Sequence, residues 1–452
     1  MTSALTATPT RSGWFGHPRG LSTLFFTEMW ERFSYYGMRA FLILYMTAPV
    51  AAGGLGFDVP RASSVYGTYT GSVWVTPILG GLVADRMLGA YRSVLLGGIV
   101  IALGHFTLAL RALPFFYTGL ALIVVGTGLL KPNATTLVGS LYDEQDARRD
   151  AGFSIFYMGI NLGAFIGPLL AGGLAQKVDW HLGFACAGVG MTLGLIQYVL
   201  GRDRQRPAME RVASRVRAAA TLAGSPARAG GGAMLGFTPV EWGRIAAVVV
   251  FFAFAALFWA AYEQAASTLN LFVDRYADRT VLGWTVPSSW FVAIQPLFVI
   301  LLSGVFAWLW VRLGPREPST PGKFSLGLLF VGLSFVLLLP AGAIAQRGGG
   351  VLVSSLWLVG AYFLQVVGEL CLSPVGNSAV TKLAPPRIVG MMMGVWFLSI
   401  AAGNKLAGWV AGLSASVPLT TLFGALAGVT LGAAVVLFLL LHPVRRLMGG
   451  VH

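Results

Sequence analysis

The chain has 452 residues, of which 56% are hydrophobic and only 11% are charged, and its formal net charge is +14. A soluble globular protein carries about 25% charged residues, so this composition excludes an ordinary soluble domain and indicates an integral membrane protein. The positive excess lies in short loops rather than in a folded basic domain, so we expect a lipid bilayer as a partner and no nucleic acid.

About twelve apolar runs are long enough to cross a bilayer as helices. They cover residues 21–48, 63–84, 92–112, 114–138, 151–175, 181–200, 243–270, 287–312, 323–345, 351–380, 389–412 and 416–441. Residues 1–20 contain no apolar core followed by a small-residue cleavage site, so we expect no signal peptide. The run at 21–48 is therefore predicted to remain as the first membrane helix.

The first helix carries an unusual polar stripe. At about 100° per residue, six side chains fall within a sector roughly 140° wide: Glu28, Glu31, Arg32, Tyr35, Tyr36 and Arg39. The opposite face, with Phe26, Trp30, Phe33 and Gly37, suits lipid or helix packing. Charges at this depth are costly unless they face a protein interior or a wet cavity, so the stripe indicates a functional site rather than mere helix packing.

The distribution of Lys and Arg predicts the orientation in the membrane. With the N-terminus inside, 21 of the 31 Lys and Arg residues fall on the cytoplasmic side, six on the other side and four within the spans. Because positive residues favour the cytoplasmic side, both termini are predicted to be cytoplasmic.

The longest polar stretch, residues 201–241, divides the spans six and six. We therefore expect an N-terminal six-helix bundle at 1–200, a cytoplasmic linker without extra membrane helices at 201–241, and a C-terminal six-helix bundle at 242–452. Residues 202–217 suit either a basic amphipathic helix on the anionic inner leaflet or a solvated tether. Two such halves, both with buried ionisable groups, suggest a secondary transporter with a central site.

Few ionisable groups occur in the later spans: Lys131, Glu263, Glu369 and Lys405. With the first helix they make four acids and four bases, a balance that indicates pairing, with exchange of partners between the halves. Lys405 lies near a helix end, where snorkelling is the simpler interpretation. Asn161 suits either a helix–helix hydrogen bond or a ligand contact. His105 lies apart from these groups and is assigned to packing, so proton coupling is expected to depend on carboxylates.

The first-helix string resembles the ExxERFxYYG signature of the proton-coupled oligopeptide transporter (POT) family, in the major facilitator superfamily. It reads Glu28-xx-Glu31-Arg32-Phe33-x-Tyr35-Tyr36-Gly37, and further motifs similar to those of the family follow along nearly the whole chain. These are Gly80–Gly89 after the second helix, Lys131-Pro132-Asn133, Phe156–Gly163, Phe258-Trp259 with Glu263-Gln264, and Gly368-Glu369-Leu370 leading to Ser373-Pro374.

The resemblance implies an all-α major facilitator fold with twelve membrane helices and proton-driven import of di- and tripeptides by alternating access. It implies that Glu369, helped by Asn161, holds the peptide amino terminus, while Arg39 and Lys131 attract its carboxylate. The remaining pocket residues that it implies are Tyr35, Tyr36, Tyr69, Trp74, Gln295, Ser373 and Trp396.

The resemblance also implies a proton-linked network and two salt bridges between the bundles. The network consists of Glu28, Glu31, Arg32, Lys131 and Glu263. The bridges are Arg39–Glu263 and Lys131–Glu369, which would act as gates. Protons are the coupling ion, no cofactor is implied, and we expect a monomer in a bacterial-type inner membrane.

Three positions depart from the family pattern. Gln295 stands before Pro296 where Asn is frequent, which keeps an amide but lengthens its reach. Trp74 stands where a Tyr is common, which removes a hydroxyl. Gly67 stands near the position at which animal members carry a histidine, so histidine-based coupling cannot be transferred to this chain.

Other classes of function are less consistent with the sequence. A transporter of nitrate or of a modified amino acid is the nearest alternative, but the ExxER string favours proton coupling. An intramembrane enzyme needs a nucleophile–base or metal constellation, and the chain has no HExxH, no GxSxG and no His-rich cluster. Its two cysteines, Cys186 and Cys371, have no metal-binding spacing. A passive channel is disfavoured because opposite charges in two halves suit gating better than conduction.

Overall fold

A computed structural model of the chain describes residues 13–143, 146, 148–223, 237–347, 350–385 and 388–450, and these are nearly all helical. The helices are α1 Gly20–Thr47, α2 Val59–Val83, α3 Ala90–Leu108, α4 Leu113–Ser140, α5 Arg149–Gly167, α6 Gly173–Lys177, α7 Trp180–Leu200, α8 Arg202–Ala223, α9 Pro239–Tyr262, α10 Thr268–Tyr276, α11 Ile294–Leu313, α12 Thr320–Gln346, α13 Leu356–Leu383, α14 Val389–Leu413, α15 Leu419–Leu439 and α16 Leu441–Leu447.

Two of the long helical segments each consist of two consecutive helices joined by a short turn. A π-helical turn at Pro168–Gly172 joins α5 to α6. A 3-10 turn at Glu263–Ala266 joins α9 to α10, so Glu263 lies at the interruption between these two helices. Such local departures from α-helical geometry occur frequently at functional sites.

Nine segments of the described residues are long and apolar enough to cross a membrane. They are Ala90–Leu108, Leu113–Ser140, Arg149–Lys177, Trp180–Leu200, Pro239–Tyr276, Ser288–Arg316, Thr320–Gln346, Leu356–Leu383 and Leu419–Leu439. Three further long helices, α1, α2 and α14, occupy predicted spans, and α1 carries the four charged residues of the polar stripe. The prediction of an all-α integral membrane protein is confirmed.

Close packing against α5 fixes the rotation of α1. A Cβ atom added at Gly163 would lie 2.1 Å from the carbonyl oxygen of Met29, and one at Gly167 would lie 2.5 Å from that of Phe33. Small residues allow two membrane helices to approach this closely. As predicted, the apolar face of α1 is therefore used for packing, and the polar stripe points away from α5.

The apolar core is divided between the two halves of the chain. In the first half, Phe41 and Phe184 pack with ring centroids 4.9 Å apart. In the second half, Phe251 packs on Phe324 at 4.7 Å. Each half therefore has buried aromatic packing of its own.

Short strands occur only in connections among the described residues. The strands are β1 Ala277–Asp278, β2 Thr280–Val281, β3 Trp284–Thr285 and β4 Val353–Ser354. β1 pairs in parallel with β4, and β2 pairs antiparallel with β3. These pairs lie at the end of the molecule at which α1 ends, called here the far end; the end at which α1 begins is the near end.

Helix α8 packs on the first half at the near end. Gln205 and Ala208 are buried, and Arg211 donates to the Ser140 carbonyl at 3.1 Å. Of the two alternatives for residues 202–217, the structure has a helix, and it contacts α4; residues 224–236 of the predicted linker lie outside the described residues.

In the α4–α5 loop, hydrogen bonds from Arg148 lower the pKa of Asp146 to about 2, so this pair is charged at neutral pH.

Candidate functional site

The first part of the site is a buried ionic cluster on α1. Arg32 donates through Nη2 to Glu31 Oε1 at 2.7 Å and through Nε to Oε2 of the same carboxylate. Arg32 Nε also lies 3.5 Å from Glu28 Oε1, one helical turn away. All three side chains are at most 2% exposed. One guanidinium therefore lies against two carboxylates and balances the charge of only one of them, and Glu28 Oε2 is left buried without a hydrogen-bond partner among the described residues.

The second part joins the two halves of the chain. Arg39 donates through Nη2 to the carboxylate of Glu263, and both side chains are at least 92% buried. Arg39 Nε donates to the hydroxyl of Tyr66 on α2 at 2.7 Å. Close by, Asn270 of α10 donates to the Ala40 carbonyl at 2.6 Å. The predicted contact between Arg39 and Glu263 is therefore present, and it lies toward the far end.

Further polar contacts connect the halves beyond this pair. Gln176 donates to Ser288 at 2.7 Å and accepts from the backbone N–H of Ser289 at 2.9 Å. Lys177 donates to the Thr285 carbonyl at 2.7 Å. All of these groups belong to segments at the far end, so that end is held shut by hydrogen bonds between the halves.

Helices α2 and α14 also cross in direct backbone contact at the far end. A Cβ atom added at Gly67 would lie 2.8 Å from the Cα of Gly408, and one at Gly71 would lie 3.0 Å from the Ala401 carbonyl. The predicted intramembrane Lys405 is exposed and donates to Thr68 of α2 at 2.6 Å. The position of Gly67 therefore has no room for a histidine in this conformation.

At the near end the halves separate around a cavity of about 1350 Å³. Its wall is formed by α5 of the first half and by α11, α13, α16 and the start of α12 of the second half. Lining residues include Ser154, Tyr157, Asn161, Leu370, Pro374, Lys382 and Arg445. The cavity is closed at the far end and is lined by residues near the C-terminus, so it lies toward the end that holds the termini.

Glu369 lies beside this cavity, on α13 one residue before the lining residue Leu370. The hydroxyl of Tyr262 donates to its carboxylate. Asn161 is 8% exposed and donates to the Tyr157 carbonyl at 3.1 Å, which satisfies one of its hydrogen bonds within its own helix. Both of the groups expected to hold an amino terminus are therefore near the cavity, one on each half.

Lys131 does not pair with Glu369 in this conformation. Its ammonium lies over the ring of Trp74, 3.4 Å from the centroid, and no carboxylate oxygen of the described residues lies within 4.0 Å of it. The Trp74 ring in turn stacks on Phe397 of α14, with centroids 6.0 Å apart. Of the two predicted salt bridges, the structure has one formed and the other open.

The remaining predicted pocket residues differ in their accessibility. Tyr36 and Ser373 are half-buried, whereas Tyr35 and Tyr69 are buried with hydroxyls that have no partner among the described residues. Gln295 donates to Gln365 at 2.8 Å, inside the second half.

Trp396 is 2% exposed and packs over Gly376, against Phe324, so it lies in the core of the second half rather than on an open wall. His105 is buried, as its assignment to packing requires, with neither ring nitrogen hydrogen-bonded to a described residue.

Two residues of the site were missed from the sequence, Tyr66 and Tyr262. Tyr66 is the acceptor for Arg39 and lies three residues before the predicted Tyr69. Tyr262 directly precedes Glu263 but points to Glu369 instead. For Tyr262 the available signal was a phenol inside an apolar run, directly before a carboxylate; no such signal marks Tyr66.

In the part of the chain that the structure describes, no three His, Cys, Asp or Glu side chains come together as a group that could hold a metal ion. The charged groups of the site are instead carboxylates, guanidinium groups and one ammonium. Such a set suits a ligand with opposite charges at its two ends.

Comparison with known proteins gives matches over almost the whole chain. A profile of the POT family matches residues 91–228 and 239–429. The peptide transporter YePEPT of Yersinia enterocolitica is 40% identical over 98% of this chain and 98% of its own. A di-/tripeptide transporter of Lactococcus lactis is 36% identical over 98% of this chain and 99% of its own. A crystal structure of a POT peptide transporter in complex with alafosfalin superposes with a TM-score of 0.86, at 41% identity, over 98% of both chains.

Proposed function

This chain belongs to the POT family of membrane transporters, and on that premise we propose that it imports di- and tripeptides together with protons. The observation that carries the proposal is the buried Arg39–Glu263 pair between two halves that separate around a cavity at the opposite end. An ion pair that is formed in one conformation and separated in the other provides a physical basis for alternating access. The major facilitator fold implied by the sequence agrees with the superposed POT structures.

The substrate site is assigned to charges at two positions with aromatic walls between them. Glu369 would bind the peptide amino terminus, with Asn161 assisting, and Arg39 and Lys131 would attract the carboxylate. The proposed walls are Tyr35, Tyr36, Tyr69, Trp74, Gln295, Ser373 and Trp396. Gln295 and Trp396 are buried within the second half in this conformation, so their contribution there is to support the wall.

Proton coupling is assigned to carboxylates whose partners change. Glu28 and Glu31 share Arg32, and Glu263 is bound by Arg39. A buried carboxylate beside a cation favours its ionised form, and this preference is lost when the partner moves away. Lys131 would complete this network by pairing with Glu369 in the state that closes the near end.

The moving parts are proposed to be the bundles 1–200 and 242–452, connected by residues 201–241. Most of the buried apolar residues of each half pack within that half, which supports this division; Ala266, Leu271 and Val292 of the second half also join the first-half core. The excess of Lys and Arg at one side supports cytoplasmic termini. A bacterial inner membrane, with import toward the cytoplasm, is the setting that the family resemblance implies. A monomer contains the complete proposed site.

Uptake of labelled dialanine into proteoliposomes tests this function. We expect accumulation that requires an inward proton gradient, collapses with an uncoupler, and is suppressed by unlabelled dipeptides but not by alanine. A matched preparation of Glu369→Ala should give no accumulation while inserting normally. Folded wild-type protein that shows no gradient-dependent uptake would contradict the proposal and direct attention to other small substrates.

A further inference from the structure

Lys131 is the one cation of the described ionic site that has no carboxylate partner. The acids of that site have closer partners: Arg32 lies against Glu28 and Glu31, Arg39 binds Glu263, and Tyr262 donates to Glu369. Glu28 and Glu31 attract Lys131 from beyond salt-bridge distance. An ammonium at this depth of a membrane protein that lacks a carboxylate in direct contact is unfavourable unless another group contacts and stabilises it.

The indole of Trp74 is that group. The Lys131 Nζ atom lies 3.4 Å from its centroid, within the range of a cation–π interaction, and Trp is the aromatic side chain that attracts cations most strongly. A tyrosine, which is common at this position in the family that the chain resembles, would offer a hydroxyl as well as a ring. Trp offers the ammonium only a ring face at this place, because its single polar group is a donor.

A ring face holds a cation without neutralising it. A carboxylate would take up the formal charge of Lys131, whereas the indole leaves that charge available to an arriving anion. The arrangement therefore suits a cation that has to be kept in place until a carboxylate group of the substrate arrives.

The same indole also contacts the other half of the chain. Its ring stacks on Phe397 of α14 at 6.0 Å between centroids and 25° between planes. Because Trp74 belongs to α2 and Lys131 to α4, the row Lys131–Trp74–Phe397 connects two helices of the first half with one of the second. A change in the relative position of the halves therefore changes the surroundings of the ring that holds the ammonium.

We propose that Trp74 is a positioning residue that holds the Lys131 ammonium ready for the carboxylate of the substrate and, through Phe397, links its placement to the position of the second bundle. This role is distinct from a wall contact with the peptide. Its consequence for uptake rests on the proposed peptide transport, whereas the contact itself does not.

The contact is tested by carbon-13 NMR of protein labelled at the lysine Cε. The chain has five lysines, Lys131, Lys177, Lys323, Lys382 and Lys405, so the spectrum is simple, and Lys131→Arg assigns the resonance. We expect the Lys131 signal to be displaced upfield by the ring current, to lose that displacement in Trp74→Leu, and to keep most of it in Trp74→Phe. A Lys131 signal that is unchanged in Trp74→Leu would overturn the proposal.

Transport kinetics test the role. With dialanine, Trp74→Leu should raise KM about tenfold, while Trp74→Phe should stay within about twofold of wild type because it keeps the ring face. Phe397→Leu should leave the Lys131 signal displaced and lower kcat with little change in KM. A loss of kcat in Trp74→Leu at unchanged KM would contradict carboxylate positioning. If wild-type protein fails to accumulate dialanine, the proposed function fails, and the NMR result still decides whether Trp74 holds Lys131.

Discussion

Arg39 and Glu263 form a buried ion pair across the two halves of the chain, at the 3-10 turn between α9 and α10. At this turn the side chain of Glu263 contacts Arg39, whereas the side chain of the preceding residue, Tyr262, contacts Glu369. The closed far end and the candidate substrate site are therefore connected through two consecutive residues.

Removing one partner of this pair should destabilise the protein more than removing both. Either Arg39→Leu or Glu263→Ala leaves a buried charge without a partner, which costs about 3–5 kcal/mol in other proteins. We expect a coupling of about 1–3 kcal/mol in the double-mutant cycle, measured from unfolding of the four purified proteins. The exposed pair Arg206–Glu210 is the matched control and should give a coupling below about 1 kcal/mol. Equal couplings for both pairs would contradict a special role for Arg39 and Glu263.

A larger residue at Gly67 should keep the far end from closing. In Gly67→Val the added Cβ would lie 2.8 Å from the Gly408 backbone, which has no flexible side chain to move aside. We expect at least a tenfold loss of uptake, about 1.4 kcal/mol or more.

The control is Gly432→Val on α15, where an added Cβ meets no described atom within 4 Å. In a background without Cys186 and Cys371, a cysteine at the buried Ser63 reports on the far end. It should react with an impermeant thiol reagent faster in Gly67→Val than in Gly432→Val. Equal reaction rates in the two variants would show that Gly67 does not control closure.

Tyr262 should be required for tight binding of the peptide amino terminus. Its hydroxyl donates to the Glu369 carboxylate, and a hydrogen bond to a charged group is worth about 1.5–3 kcal/mol. Tyr262→Phe should therefore raise KM for dialanine by about tenfold or more, with a smaller change in kcat. Tyr362→Phe is the control, since that buried hydroxyl has no partner among the described residues. A KM that is the same in both variants would remove Tyr262 from the site.

The charged groups could be predicted from the sequence because membrane burial makes them rare. Glu28, Glu31, Arg32 and Arg39 stand out in an apolar run, and helical periodicity alone places them on one face. Charge balance indicated that the buried ions pair between the halves, and the family resemblance indicated Glu263 as the partner of Arg39. Its second partner, Tyr66, was not, because a tyrosine in a membrane helix has many possible environments.

The conformational state could not be predicted from the sequence. Lys131 and Glu369 were expected to pair, and each has a different partner here, because a pair that opens and closes belongs to one state only. The burial of Trp396 has a similar explanation. Its aromatic character suits both a pocket wall and a core, and only the packing over Gly376 distinguishes them.

Glu31→Gln should weaken proton-driven uptake more than counterflow exchange. Glu31 accepts two hydrogen bonds from Arg32, and the amide keeps an acceptor but loses the negative charge. Glu28, whose Oε1 lies 3.5 Å from Arg32 Nε, is then the only negatively charged partner of Arg32 among the described residues. Because counterflow exchanges peptide for peptide, it does not need net proton movement, whereas accumulation does. We expect at least a tenfold loss of gradient-driven accumulation of dialanine, about 1.4 kcal/mol, with counterflow within about threefold of wild type.

Glu210→Gln on the exposed face of α8 is the control for a neutralised acid and should change neither activity. Equal losses of accumulation and counterflow in Glu31→Gln would argue against a role in coupling and assign Glu31 to the support of Arg32.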